Sequence, residues 1–339
     1  MMFEEILKHL PLIWGGLIVF AIFLYVLLDG FDIGIGILFP FAPEDTCRSK
    51  MMNSIAPFWD GNETWLILGG GGLLAAFPLA YAILASALYL PIIFMLVALI
   101  FRGLAFEFRF KASLKSRVIW DYSFHFGSLF AAFCQGIILG AIIQGISVEG
   151  RSFSGGAFDW LTAFSLMTGL AMIVGYSLLG CTWLILKTDD ITQAWARKTA
   201  LYILAYFIFF MAVVSLWTPY LNSHLYERWY TWPNIIYLSP IPLALGICFI
   251  AFIRSIKNNS ERMPFFLTIF MFMLNFAGLV VGLWPWIVPY QISFTKAAAA
   301  PESQLFLISG AIFILPIILG YTAYSYYVFR GKVSHEQMY

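Results

Sequence analysis

Charged side chains are scarce in this chain, and this scarcity indicates its class. Asp, Glu, Lys and Arg make up 11% of the 339 residues, whereas hydrophobic residues make up 61%. Soluble domains carry about 25% charged residues, so the composition excludes an ordinary soluble domain and predicts a polytopic membrane protein. The formal net charge of +1 provides no basic surface, and we expect no nucleic-acid partner.

Residues that bind metals are also few and scattered. The chain has 4 His, 4 Cys and 12 Met, and His125 is the one histidine inside an apolar segment. A haem held by two axial side chains needs ligands that face each other, so we expect no haem, metal or other cofactor on this chain. We interpret His125 as a hydrogen-bonded residue near a helix end, and the cysteines and methionines as apolar filling.

Long apolar segments predict an all-α protein of about nine transmembrane helices in a single integral membrane domain, residues 1–339. The predicted spans are 11–38, 55–76, 79–101, 119–147, 158–186, 199–217, 236–254, 264–284 and 304–329. The second span is the least regular, because it contains Asp60, Glu63 and four consecutive glycines. Neighbouring helices in a membrane can support such a segment.

The basic residues predict the orientation of the chain. Of the 19 Lys and Arg residues, only Lys8, Arg151, Arg228 and Lys296 fall on one side of the nine spans. Because cytoplasmic loops carry an excess of Lys and Arg, the N-terminus is predicted to lie outside and the C-terminus inside.

Carboxylates inside the spans are the residues that point to function. Asp29 and Asp32 lie three residues apart in the first span, on nearly the same helix face, and Asp60 and Glu63 open the second span. The predicted orientation places all four near the cytoplasm. A charge at the bilayer centre costs about 2.5–3.5 kcal/mol, so buried acids usually serve ion traffic or pair with a cation. No acid continues the series to the outer face, which favours an inlet to a buried site.

Two interpretations of these residues stay open. In the first, the acids transfer protons, with Asp32 and Asp60 as the best candidates and Asp29 and Glu63 as weaker ones. In the second, the acids form a structural ion pair with Arg102, whose guanidinium suits fixed pairing. Two tryptophans flank the acids, and we expect them to pack or to contact a partner subunit or a gas path: Trp59 and Trp65.

Several stretches resemble subunit II of the cytochrome bd-type quinol oxidases. The resemblance covers nearly the whole chain, and residues 53–66 carry its most specific motif. The matching stretches are 29–36 (DGFDIGIG), 53–66 (NSIAPFWDGNETWL), 69–72 (GGGG), 75–78 (AAFP), 101–109 (FRGLAFEFR), 285–289 (PWIVP) and 321–323 (YTA). Glu63 and Gly72 resemble the cyanide-insensitive branch of the family.

The resemblance implies a heterodimer in the bacterial inner membrane. Subunit I would carry haem b and haem d, or b-type haem alone, and would oxidise quinol. Subunit II would consist of two four-helix bundles plus one peripheral helix and would bind no haem. It would support subunit I and line a path for cytoplasmic protons, with oxygen as a second candidate cargo. Small accessory subunits, lipids and quinone are further expected partners.

Other classes of membrane protein also contain buried acids. A proton-coupled secondary transporter is the main alternative, and it predicts discontinuous helices in two halves with polar groups at mid-membrane. Here the buried acids cluster at one side, and the last four predicted spans contain almost no charge. A purely structural scaffold would leave Asp29, Asp32 and Asp60 without a reason to persist in hydrocarbon.

Overall fold

The computed structural model describes residues 2–333 and is built almost entirely of helices. The longer helices are α1 (Met2–Leu38), α2 (Asp45–Ile55), α3 (Trp59–Ala76), α4 (Pro78–Ala87), α5 (Tyr89–Arg109), α6 (Leu114–Gln144), α7 (Ala163–Lys187), α8 (Asp190–Trp217), α11 (Pro240–Lys257), α12 (Met263–Leu283) and α14 (Pro301–Val328). Short helices α9 (Ser223–Tyr230), α10 (Asn234–Leu238) and α13 (Phe294–Ala297) lie between them. Two small antiparallel sheets pair β1 (Val148–Glu149) with β2 (Ser152–Phe153) and β3 (Trp286–Val288) with β4 (Ile292–Ser293).

The all-α polytopic class is confirmed. Within the described residues, eight helical segments are long and apolar enough to cross a membrane. They correspond to the first predicted span and to the third through ninth. The second predicted span is occupied by α3, which has 18 residues and includes Asp60, Glu63 and the four glycines, so it does not reach the same apolar character.

The predicted third span, 79–101, is wrong in its boundaries. Residues 78–87 form the separate short helix α4, and the spanning helix α5 runs from Tyr89 to Arg109. The break falls at Leu88, whose backbone leaves the helical region (φ −117°, ψ 16°). Pro91 lies in the first turn of α5, where a missing N–H costs nothing. At the other end, α5 continues past Arg102 because that charge is paired inside the protein.

The spanning helices form two groups that meet along α1, α6 and α7. In the first group α1 packs against α3 and α6, and α5 packs along α6. In the second group α7 packs against α8 and α12, and α11 packs against α12. The last helix, α14, contacts α1 and α3, and its most apolar stretch has no buried residue. The ends of the helices that carry Leu38, Trp59 and Arg109 are called the inner end, because the basic residues predict that it faces the cytoplasm.

Two glycines let α1 and α7 touch along their backbones. A Cβ placed on Gly34 of α1 would lie 1.8 Å from the carbonyl oxygen of Tyr176, and one on Gly180 of α7 would lie 2.6 Å from the carbonyl carbon of Gly34. Real atoms do not approach so closely, so any larger residue would push the helices apart. Small residues commonly permit such close helix packing in membranes.

We expect Gly34→Ala to lower the thermal stability of the purified protein complex, because α1 and α7 must separate and lose packing. Overpacking of this kind typically costs about 1–3 kcal/mol. The matched control is Gly71→Ala on α3, where an added Cβ would meet nothing within 4 Å. Equal unfolding midpoints for the two variants would contradict the proposed role of the α1–α7 contact.

Candidate functional site

A buried ion pair joins α1 to α5 near the inner end. Arg102 Nη1 donates to Asp29 Oδ1 at 2.6 Å, and both side chains are fully buried. Arg102 Nη2 also donates to Glu63 Oε2 of α3 at 3.0 Å, and the Glu63 side chain is 28% exposed. One guanidinium therefore connects three helices, and one of its two acidic partners reaches the surface of the chain.

A second hydrogen-bond chain holds the other buried acid of α1. Asn62 Nδ2 donates to Asp32 Oδ2 at 2.7 Å and to the carbonyl oxygen of Leu28 at 3.2 Å. The hydroxyl of Tyr326, on α14, donates to Asn62 Oδ1 at 2.9 Å. The Tyr326 ring stacks on Phe58 with centroids 4.4 Å apart. Through Asn62, the last helix of the chain is thus linked to Asp32.

Polar groups continue from the acids toward the middle of the bundle. Tyr25 lies one turn before Asp29 on α1, and its hydroxyl accepts from Gln135 Nε2 at 2.8 Å. The Tyr176 hydroxyl donates to Gln135 Oε1 at 2.6 Å. All three side chains are buried. Each amide and hydroxyl here satisfies another, as buried polar groups require.

The two buried aspartates each keep one oxygen uncommitted. Asp29 Oδ2 and Asp32 Oδ1 are buried and have no hydrogen-bond partner within the described part of the chain. A buried acceptor without a partner costs about 1–3 kcal/mol, and such groups are uncommon in native proteins. These two oxygens can therefore accept a proton or a water molecule without displacing an existing bond.

The inner end of the cluster is open. Asp60 lies in the first turn of α3 and is exposed, whereas Asn62 two residues later is buried. Trp59 stacks on Phe106 with centroids 4.7 Å apart. Trp65 is 1% exposed and packs with Ala21 and Tyr25, which favours a packing role for it. The arrangement runs from an exposed acid, past a half-exposed one, to two buried ones.

A separate charge cluster closes the loops at the same end. The guanidinium of Arg109 is fully buried and donates to Asp121 at 2.5 Å and to Asp45 at 3.4 Å. Lys50 donates to Asp189 at 2.7 Å, in the turn between α7 and α8, and this hydrogen bond holds the pKa of Asp189 below its ordinary value. These contacts tie α2 to α5, α6 and the α7–α8 turn, and so fix the loops around the acids.

The structure brings together most of the residues that the sequence singled out. Of the acids that the structural interpretation assigned to Arg102, the guanidinium binds Asp29 and Glu63 but not Asp32 or Asp60. The physical reason is depth, since Arg102 lies inside α5 and Asp60 lies at the surface. His125 is hydrogen-bonded, with Nδ1 3.3 Å from the carbonyl oxygen of Gly36.

Sequence reasoning missed three members of the site: Asn62, Tyr326 and Gln135. Asn62 lies between Asp60 and Glu63 in the second span, and an amide in that position could have indicated a hydrogen bond to a neighbouring helix. Tyr326 lies in the sequence among tyrosines typical of a membrane interface, and its neighbours Tyr324 and Tyr327 are exposed by 66% and 63%. Gln135 was a lone amide inside an apolar helix, which often marks an interhelical hydrogen bond.

No group of three or more His, Cys, Asp or Glu residues that could hold a metal ion is present in residues 2–333. That this chain binds no haem stays a prediction from the sequence.

Fold and site together define a multi-pass membrane protein whose buried acids gather at one end. The model of the family described as cytochrome bd terminal oxidase subunit II matches residues 10–329. The chain belongs to this family, which confirms the resemblance seen in the sequence. It is accordingly part of a quinol-oxidising complex that reduces oxygen.

Individual relatives agree with the family match. Cytochrome bd ubiquinol oxidase subunit 2 of Bacillus subtilis (strain 168) is 29% identical, over 92% of this chain and 94% of the relative. Cytochrome bd-I ubiquinol oxidase subunit 2 of Escherichia coli (strain K12) is 28% identical, over 97% and 96%. A chain in the structure of bd oxidase from Geobacillus thermodenitrificans superposes with a TM-score of 0.75 at 16% identity, covering 94% of this chain and 98% of that one. At that identity the last comparison supports the fold alone.

We expect Arg102→Gln to destabilise the assembled complex by about 3–5 kcal/mol, because it leaves the fully buried Asp29 carboxylate without its cation. Thermal unfolding followed through the oxidase haem absorption would measure the loss. Adding Asp29→Asn to Arg102→Gln should restore part of the stability, since it removes the unpaired charge.

The control for this experiment is Lys111→Gln. Lys111 forms an exposed ion pair with Glu107, with side chains 73% and 58% exposed, and such pairs are worth about 0–1 kcal/mol. A double variant no more stable than Arg102→Gln alone would show that the charge on Asp29 is not what the guanidinium compensates.

Proposed function

We propose that this chain is the haem-free subunit II of a bd-type quinol oxidase in the bacterial inner membrane. It supports a haem-bearing subunit I, and it admits cytoplasmic protons toward the oxygen-reducing site on that subunit. Haem b and haem d, or b-type haem alone, belong to subunit I in this proposal, together with the site of quinol oxidation. The observation that carries the proposal is the graded series of acids from Asp60 at the surface to Asp29 and Asp32 in the core.

The geometry supports proton entry at the inner end. Asp60 is exposed, and Glu63 reaches the surface while it binds Arg102. Arg102 in turn binds Asp29, and Asp32 lies three residues further along the same helix. Protons move between groups that are linked by hydrogen bonds or by single waters, and the uncommitted oxygens of Asp29 and Asp32 provide acceptors at the buried end of the series.

The charge balance of the cluster also supports proton traffic. One guanidinium binds two carboxylates, on Asp29 and Glu63, and a third carboxylate, on the fully buried Asp32, lies one helical turn from Asp29. Like charges that share a buried site disfavour simultaneous ionisation. A cluster with more acids than cations therefore favours holding a proton that it can pass on.

The series stops inside the bundle, which fits a subunit of a larger assembly better than a carrier. Beyond Tyr25, Gln135 and Tyr176 no further buried acid is found in the described residues, and the buried polar side chains of the outer half, such as Thr168 and Gln304, are neutral. A secondary transporter needs alternating access to a site from both faces. A proton inlet needs access from one face and a reaction site elsewhere, and subunit I would provide that site.

The first test is Asp60→Asn in the whole oxidase complex. We expect normal haem content and slower oxygen consumption, because a rise of about 1.4 kcal/mol in the barrier to proton delivery slows turnover about tenfold once delivery is limiting. The matched control is Glu107→Gln, which removes another exposed acid near the inner end of α5. Lost assembly would favour a structural role for Asp60, and turnover equal to that of Glu107→Gln would refute the inlet.

A second test uses Tyr326→Phe, which removes the hydroxyl that binds Asn62 but keeps the ring on Phe58. The lost hydrogen bond is worth about 1 kcal/mol, so the complex should assemble with its haems. Because Asn62 is then less firmly held against Asp32, we expect slower turnover and a shifted pH profile of oxygen consumption. Tyr327→Phe, at an exposed tyrosine on the same helix, should leave that profile in place. Identical profiles for the two variants would refute the role of Tyr326.

A further inference from the structure

An open cavity of about 540 Å³ lies at the inner end of α11 and α12, away from the acid cluster. Its volume falls within the range of small-molecule sites, about 300–1,000 Å³. Apolar and polar side chains line it together: Ile247, Ile250, Ala251, Arg254, Ser255, Asn258, Ser260 and Met263. Neither the inlet nor the contacts between the helix groups uses these residues.

The lining residues of α11 form one stripe whose character changes along the helix. Positions 247, 250, 251, 254 and 258 are spaced by three or four residues and so share a helix face. Ile247 and Ile250 are exposed by 68% and 55%, as expected of side chains that face acyl chains. Arg254 follows at the polar end, about 10 Å from Ile247 at 1.5 Å per residue. An apolar surface thus leads directly into a cationic one.

No carboxylate of the described residues binds Arg254, which is the cation of this cavity. In the part of the chain that the structure describes, the Arg254 guanidinium makes no ion pair and no side-chain hydrogen bond. The nearest acid along the sequence, Glu261, is already engaged by Lys332 at 2.5 Å. That hydrogen bond holds the pKa of Glu261 below its ordinary value. Arg254 therefore has its charge and its hydrogen-bond donors free for an external anion.

Arg254 differs in this respect from three other arginines near the inner end. Arg102 and Arg109 are buried and bind carboxylates, and Arg197 donates to the carbonyl oxygens of Asn259 and Ser260 in the loop beside the cavity. Those two hydrogen bonds fix the α11–α12 loop on α8. The loop residue Ser260, which lines the cavity, is consequently held in place, while Arg254 has no such partner within the described residues.

We infer that this cavity binds the headgroup of an anionic phospholipid, with the phosphodiester on Arg254 and Asn258 and an acyl chain along Ile250 and Ile247. Basic pockets between transmembrane helices at the cytoplasmic side bind anionic headgroups, and an arginine fork matches a phosphate geometrically. The apolar half of the stripe selects a lipid over a free phosphate ion, because only a lipid covers the exposed isoleucines.

The experiment uses the whole oxidase complex in lipid nanodiscs that contain a photoactivatable acyl chain on either phosphatidylglycerol or phosphatidylcholine. Cross-links would be mapped by peptide mass spectrometry. We expect phosphatidylglycerol to label the Ile247–Ile250 region about fivefold more than phosphatidylcholine, and Arg254→Gln to abolish that preference, since one basic residue near a membrane surface is worth about this factor. Arg254→Lys, which keeps the charge but loses the fork, should retain part of the preference.

The matched control is Lys257→Gln at the same helix end. Lys257 does not line the cavity and so does not contact a headgroup bound there, and labelling should stay within about twofold of wild type. Equal labelling by the two lipids, or equal effects of Arg254→Gln and Lys257→Gln, would overturn the proposal. Complete competition by inorganic phosphate would also overturn it, because that result would indicate a free-anion site. Haem spectra and oxygen consumption would confirm that each variant is assembled, so these results are independent of the proton inlet.

Discussion

The buried ion pair between Asp29 and Arg102 is the interaction on which the arrangement of the first helix group depends. Two charges that are fully buried lose several kcal/mol of hydration each, and their mutual attraction compensates only when the geometry is good. The pair therefore fixes the depth of α5 relative to α1, because the Arg102 side chain must reach Asp29. Glu63 extends the requirement to α3, because the same guanidinium binds it.

Around this pair the neutral polar residues act as connectors. Asn62 uses its amide nitrogen on Asp32 and its carbonyl oxygen on Tyr326, so one side chain joins α1, α3 and α14. Gln135 likewise uses both ends of its amide, on Tyr25 and Tyr176, and joins α1, α6 and α7. The backbone contact at Gly34 and Gly180 brings α7 close enough for Tyr176 to reach this network. In an apolar interior such bonds are favoured because an unpaired amide has no water to bind.

The sequence was sufficient for the class of protein, the family and the end of the bundle where the acids gather, because these follow from hydrophobic length and from residue type. It was insufficient for the pairing of charges. Arg102 marked the end of a span in the sequence, since charge normally ends an apolar run, and yet α5 continues for two further turns to Arg109. Only tertiary contacts reveal that both arginine side chains are fully buried and paired with carboxylates. The role of Tyr326 was hidden for the same reason, because its neighbours Tyr324 and Tyr327 face outward and the residue type is common to all three.

Basic residues near the inner end have two different environments, and the difference follows from where the acids lie. In the first group the cations near the inner end are matched by carboxylates inside the chain, as for Arg102 with Asp29 and for Arg109 with Asp121. In α11 of the second group the spanning stretch contains no acid, so Arg254 has no internal partner at its depth. A matched cation stabilises contacts between helices, whereas an unmatched one at the membrane surface attracts anions from outside the chain. Near the second group Arg197 and Lys332 have partners inside the chain, so the proposed lipid site depends on Arg254 having no acid within reach among the described residues rather than on the number of basic residues at that end.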